Sequence, residues 1–257
     1  DGSSCALLEL HVGSNLISFS MLPADNSVEN VLTFDTIDAI AGEGEAAMNT
    51  DNGWVGSLTA FEGGKGYWLV STNADDFDFT YGGHGDLSRS GQQAALRAVP
   101  ETYSYRQSDQ QAFYFVESAT INGEVLEDDD IVIAYNGDVV VGSRYWNGEL
   151  TDIPALGVDS EGTEMFAGYC EAGDKVSFKV LDASTGELVD MDAAGDIEWN
   201  TMDISVINLT DRFLPTEVSL SNAYPNPFNP STMISYDVPA DMNVSLSIYD
   251  MRGRLVN

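Results

Sequence analysis

Carboxylates dominate the reactive side chains of this chain, with 42 Asp and Glu against 10 Lys and Arg and only two histidines. Calcium takes hard oxygen donors from loops. The run Asp128-Asp129-Asp130 ahead of a strand, with Asp159 and Glu161 in a later loop, offers such donors. The run lacks EF-hand spacing, so the same residues also read as a solvated acidic face. Cys5 and Cys170 are the two thiols of the chain. They are too far apart in sequence for a metal-binding pair and lack the Cys or His company that zinc requires. Two readings stand for them, a disulfide in an oxidising compartment or two unrelated buried thiols. His11 falls on the polar side of a strand and His84 in a glycine-rich stretch, so neither belongs to a metal or triad pattern. The sequence carries no nucleophile elbow, Walker loop or dinucleotide fingerprint. Nothing singles out two acids for glycoside hydrolysis. A non-enzymatic role is expected, with calcium as the one cofactor to consider.

Aromatic side chains give a second kind of chemistry. Trp54, Tyr67 and Trp68, or Tyr145 and Trp146, could form a sugar-stacking face. Large aromatics on strands are by default core residues, and the two readings are kept side by side.

The elements that would position these groups are strands. Leu8, Leu10 and Val12 alternate with polar residues, Gly13-Ser14 offers a turn, and Ile17, Phe19 and Met21 alternate again, which predicts a hairpin. Asn26-Ser27 can cap a short helix with Val28, Val31 and Leu32 on one stripe. Strands are expected at 54–58 and 65–70, and Phe77, Phe79 and Tyr81 alternate with Asp76, Asp78 and Thr80. Asn-Gly occurs at 122–123, 136–137 and 147–148, and each pair suits a type I′ hairpin turn. Val176, Phe178 and Val180 form one buried face, and Ile204, Val206 and Asn208 are read as another. The fold class is therefore all-β, with tandem β-sandwich-like domains. The boundaries read are a β-rich domain at 1–81, a linker at 82–109, a β-sandwich domain at 110–210, a linker at 211–219 and a final small domain at 220–257.

That final part is the most specific. Tyr224-Pro225-Asn226-Pro227-Phe228-Asn229-Pro230-Ser231-Thr232 holds three prolines in an extended backbone, with Tyr224 and Phe228 as anchors. Ile234-Ser235-Tyr236, Pro239, Val244 to Tyr249, Asp250 and Gly253 follow. Together these residues resemble the C-terminal sorting domain of proteins exported by the type IX secretion system of Bacteroidota, an Ig-like β-sandwich. The resemblance stops at Asn257, partway through the family's usual length, so a partial Ig-like domain is expected. It implies contact with the secretion machinery and a place on the cell surface or outside the cell. In such a setting Asp35-Thr36-Ile37 fits a short O-glycosylation pattern with Thr36 as acceptor.

The formal net charge of -32 disfavours nucleic acid and anionic membranes, because both need clustered cations on the protein. No run approaches the roughly 18 apolar residues of a membrane helix, so no membrane insertion is expected. At 43% hydrophobic residues the chain folds rather than remaining an acidic coil. The function expected is a secreted structural or adhesive surface protein, self-assembling into a filament, whose partners are copies of itself or other surface proteins. The alternative is a carbohydrate-binding module of a polysaccharide-degrading system.

Overall fold

The computed structural model describes residues 6–19, 22–32, 37–71, 76–79, 95–162, 164–212, 218–227, 229–238, 243–250 and 252–256. They group into two compact units, Asp1–Asp211 and Arg212–Asn257. The fold is all-β.

In the first unit β1 (Ala6–Glu9), β2 (Gly13–Ser18), α1 (Val28–Val31), β3 (Ala39–Ala41), β4 (Ala46–Thr50), β5 (Gly53–Gly56), β6 (Gly66–Ser71) and β7 (Asp76–Phe79) come first. Five of the strands form an antiparallel sheet in the order β2-β6-β3-β4-β5, and β1 pairs separately with β7. The expected hairpin of the first two strands is therefore not made. β2 instead pairs residue by residue with β6, from Gly13 opposite Ser71 to Ser18 opposite Gly66. Burial explains the choice, because that register buries Ile17 and Phe19 against Phe61, Tyr67 and Leu69. Phe19 and Phe61 meet edge to face at 4.5 Å between centroids, the favoured aromatic geometry. The short helix forms as read: Ser27 Oγ accepts from the Asn30 amide at 3.3 Å, and Val28 and Val31 are buried.

The second sheet uses β8 (Gln111–Ile121), β9 (Glu124–Val125), β10 (Ile131–Asn136), β11 (Val139–Tyr145), β12 (Thr151–Leu156), β13 (Ser177–Leu181), β14 (Leu188–Gly195) and β15 (Ile204–Asp211). Its order is β11-β10-β13-β14-β15-β8-β12, with β9 on β8. All pairs are antiparallel except β15 with β8. The sheet curls until its end strands, β11 and β12, lie against each other, with Gly142 packed on the Pro154 carbonyl and Arg144 Nε donating to the Asp152 carbonyl at 2.6 Å. Proline suits an end strand, which has ladder partners on one side only. Inside the curl sit Tyr114, Val132, Val141, Ile153, Phe178, Val180, Trp199 and Ile207.

Two sequence expectations change here. Of the three Asn-Gly pairs, only Asn122 and Gly123 both take positive φ, 53° and 81°. At the next pair the loop is Gly137-Asp138, because Asn136 stays in the strand opposite Val139. There Asn136 Nδ2 donates to Asp174 Oδ2 at 2.9 Å, a tertiary bond that outweighs the local turn preference. The third pair, Asn147-Gly148, lies in the connection between the two ends of the curl, which is not a paired hairpin. In β15 the buried residues are Ile207 and Leu209, while Val206 is 43% exposed, so the face read from alternation is the wrong one. The parallel register on β8 shifts between Ile207 and Asn208, which re-aims the strand.

The two sheets share a third apolar cluster, Ala41 and Ala46 from one and Phe113 and Phe115 from the other. Of the stretch read as the first linker, residues 95–109 are described. They hold one 3-10 turn, Glu101–Tyr103, and pack Val99, Tyr103 and Tyr105 onto the second sheet.

In the second unit β16 (Ser219–Leu220) pairs with β17 (Tyr236–Asp237), and Tyr224 bridges Met233 through two backbone bonds of 2.9 and 3.0 Å. A turn at 250–254 is closed by Asp250, whose carboxylate accepts from the amides of Arg252 and Arg254 and from Arg254 Nε.

Candidate functional site

Two places stand out: a buried polar seam between the sheets of the first unit, and the segment around residues 224–232 in the second.

The seam is built by loops that bring backbone groups to one buried ion pair. Arg144 on β11 and Asp152 on β12 sit 3.2 Å apart, with side chains 9% and 2% exposed. Asp152 also accepts from the Ser57 amide and hydroxyl, both at 2.7 Å, and from the Ala46 amide at 3.2 Å. Arg144 Nη2 donates to the Gly44 carbonyl at 2.7 Å. Gln111 adds a second clasp, giving Nε2 to the Gly42 carbonyl at 2.5 Å and accepting from the Gly44 amide at 3.1 Å. Apart from the ion pair itself, which joins two strands of the second sheet, each of these contacts ties the second sheet to loops or strand ends of the first. Burying a charge pair is tolerable only when the remaining lone pairs and protons are met, which is what these backbone groups do. Burial pushes the Asp152 carboxyl upward, and the Arg144 charge and the bonds from Ser57 and Ala46 oppose it.

Glu45 lies between Gly44 and Ala46 at the same seam. Burial lifts its carboxyl to about 7; Arg144 pulls the other way and the Asp152 charge adds to the rise. A folded value above the ordinary 4.5 means the folded chain holds this proton more tightly than the unfolded one. The stability from this group is therefore fully present below pH 4.5 and is lost as pH rises through about 7. Since Glu45 is only part-buried, the loss is set at about 1–2 kcal/mol. Glu45→Gln should flatten the stability profile between those limits, read by urea midpoints at a series of pH values.

Alongside the ion pair runs a cavity of about 570 Å³, bounded by β5, the extended residues 95–99, the end of β11 and the loop into β12. Arg97 lies over the Tyr145 ring at 3.6 Å and pairs with Asp129 at 2.7 Å on its rim. Glu45 is not among its lining residues.

The residues singled out from sequence fall as follows. Asp130 is buried, and its carboxylate accepts from the amides of Glu127 at 2.7 Å and Ala183 at 2.9 Å, a structural use that ties a loop to the end of β13. Asp128 and Glu161 are exposed and Asp159 is partly so. Among the described residues no three His, Cys, Asp or Glu side chains gather as a metal site, so the four are not brought together. Cys170 is a buried thiol pushed up to about 12 by burial and the Asp174 charge, and Cys5 lies outside the described residues. Since the thiolate is the reactive form, Cys170 in reduced protein should react with iodoacetamide only as the unit unfolds, read by mass spectrometry along a urea series. Thr36 and Phe228 also lie outside the described residues. Tyr67 and Trp146 are core residues at 3% and 4% exposure, and Trp54 packs on the first core, so those three form no open stacking face.

The seam was not singled out from sequence. One signal pointed to it: in a chain so poor in cations, Arg144 is the one charged residue of a strand rich in valine, where an unpaired charge is almost never found.

In the second unit Tyr224 is 80% exposed and so does not anchor the motif. Thr232 Oγ1 donates to the Pro225 carbonyl at 2.9 Å and closes the motif loop instead. Residues 244–249 are exposed and form no named strand, though Tyr249 bridges Leu255 and the Ile248 carbonyl accepts from the Val256 amide at 2.7 Å. Among the described residues no helix is long and apolar enough to cross a membrane.

No curated protein and no solved structure matches the chain. Residues 222–257 match the family model of the secretion system C-terminal sorting domain, and the chain is accordingly a cargo marked for export to the cell surface or the extracellular space.

Proposed function

We propose that this chain is a secreted, non-enzymatic structural or adhesive surface protein that assembles with copies of itself. The observation that carries the reading is the apolar surface of the second unit. Leu220, Met233, Val244, Leu246, Ile248 and Leu255 are 43–72% exposed within a few dozen residues. Apolar side chains exposed in this number offer a contact surface for a partner. The buried charges of the first unit support a non-catalytic role, because Asp152, Arg144 and Asp130 are engaged in holding loops to sheets. Sedimentation velocity over a concentration series should show large species that dissolve when Val244, Leu246 and Ile248 are all changed to serine. A monomer at every concentration removes the assembly reading.

A second reading, a carbohydrate-binding module, is favoured by one observation, the cavity beside the seam with its mixed lining of aromatic, amide, hydroxyl and charged groups.

A further inference from the structure

We propose that the cavity between β5, residues 95–99 and the β11–β12 connection binds a neutral saccharide, with Arg144 Nη1 and the Tyr105 hydroxyl among its hydrogen-bonding contacts. The proposal rests on the carbohydrate-binding reading and makes it specific.

The argument begins with the hydrogen bonds that are not made. Among the described residues no fully buried side-chain nitrogen or oxygen lacks a partner. Arg144 uses Nε for the Asp152 carbonyl and Nη2 for Gly44 and the Asp152 carboxylate, and no hydrogen bond of the described residues ends on Nη1. The side chain is nevertheless more than nine-tenths buried, and it lines the cavity. Tyr105 lines the same cavity, and its hydroxyl likewise has no hydrogen-bond partner among the described residues, while the neighbouring Arg144 and Asp152 charges act on it. Since no fully buried polar side-chain atom of the described residues lacks a partner, this guanidinium N–H and this phenol are open to solvent, and a bound molecule would satisfy them.

Charge selects the class of molecule. Arg97 and Arg144 on the cavity wall are met by Asp128, Glu149 and Asp152, so the lining has no positive excess. The whole chain carries -32, which repels an anionic ligand. A cation is disfavoured next to the Arg144 guanidinium. What remains is an uncharged ligand that accepts a hydrogen bond at Arg144, both gives and takes at Tyr105, and donates outward to Asp128 and Glu149. Vicinal hydroxyl groups do all of these. The apolar share of the wall, including Val55, Leu96 and Leu150, suits the C–H faces of a sugar ring. The volume of about 570 Å³ lies inside the roughly 300–1,000 Å³ of ordinary ligand sites.

The test is isothermal titration of the full chain with a panel of neutral hexasaccharides (cello-, xylo-, manno-, malto- and chitohexaose), beside a polyguluronate hexamer as anion and a chitosan hexamer as cation. At least one neutral member should bind. Tyr105→Phe, which removes one oxygen and leaves the packing, should then weaken it about five- to tenfold. Glu149→Gln on the exposed rim should weaken it by less, while keeping the urea midpoint of the parent. Binding of only a charged oligomer, no binding by any member, or binding indifferent to both changes overturns the proposal. Failure here leaves the sedimentation result untouched, so the loss of this site and the loss of the assembly reading are separate outcomes.

Discussion

Asp152→Ala is expected to remove about 3–5 kcal/mol from the stability of the first unit. The carboxylate is the meeting point of Arg144, the Ser57 amide and hydroxyl, and the Ala46 amide. Its deletion leaves a buried guanidinium without its counter-charge and the buried Ala46 amide without its acceptor. Domains of this kind hold only about 5–15 kcal/mol in total, so the loss is a large fraction. The urea midpoint should fall with little change of slope, since the surface exposed on unfolding is nearly the same. Asp190→Ala is the control, because its pairing with Lys179 at 2.9 Å joins side chains 53% and 33% exposed. An exposed pair of that kind is worth about 0–1 kcal/mol. Replacing both members of the buried pair, Arg144→Met with Asp152→Leu, should recover much of the loss, because no lone charge then remains. Equal effects of Asp152→Ala and Asp190→Ala would show that the seam does not hold the sheets.

Gly142→Ala is expected to cost about 3 kcal/mol, the upper end of overpacking, from a single methyl group. Gly142 does not need a positive φ, so the penalty is steric alone: a Cβ there falls on the Pro154 carbonyl of the facing strand. That obstacle is backbone and cannot swing aside as a flexible side chain would. The two ends of the curled sheet must separate to make room, and Arg144 and Asp152 ride on those ends. Amide exchange in β11 and β12 should accelerate in the variant more than in β13 and β14, which sit mid-sheet. Gly137→Ala gives the contrast, since nothing lies within 4 Å of a Cβ there and only its φ of 59° resists. Its cost should be about 1–2 kcal/mol, without selective exchange at the sheet ends. Unchanged stability in Gly142→Ala would mean that β11 and β12 do not close on each other.

Much of the strand content was legible because strand signals are local. Alternation at Val176, Phe178 and Val180 needs only neighbouring residues, and Phe178 and Val180 are buried as that pattern requires. The Ser27 cap needs only the next turn of chain. The sorting-domain match is local as well, confined to the contiguous stretch 222–257. Partner choice is not local. The pattern around Gly13-Ser14 is consistent with a hairpin, yet β2 finds β6 some fifty residues away, because that pairing buries more aromatic surface. The inverted face of β15 has the same origin, a register imposed by β8 from nearly a hundred residues upstream.

The all-β class and the address for export were thus written in short stretches of sequence, where propensity, turn chemistry and a linear motif act within a few residues of one another. The seam and its cavity were decided by the tertiary structure. Asp152 meets Ser57 across 95 positions and Ala46 across 106, and Arg144 meets Gly44 across 100. None of these residues is unusual among its neighbours in sequence except Arg144. A buried ion pair exists only where two curled strand ends and two loops converge, and no periodicity within one segment encodes that convergence.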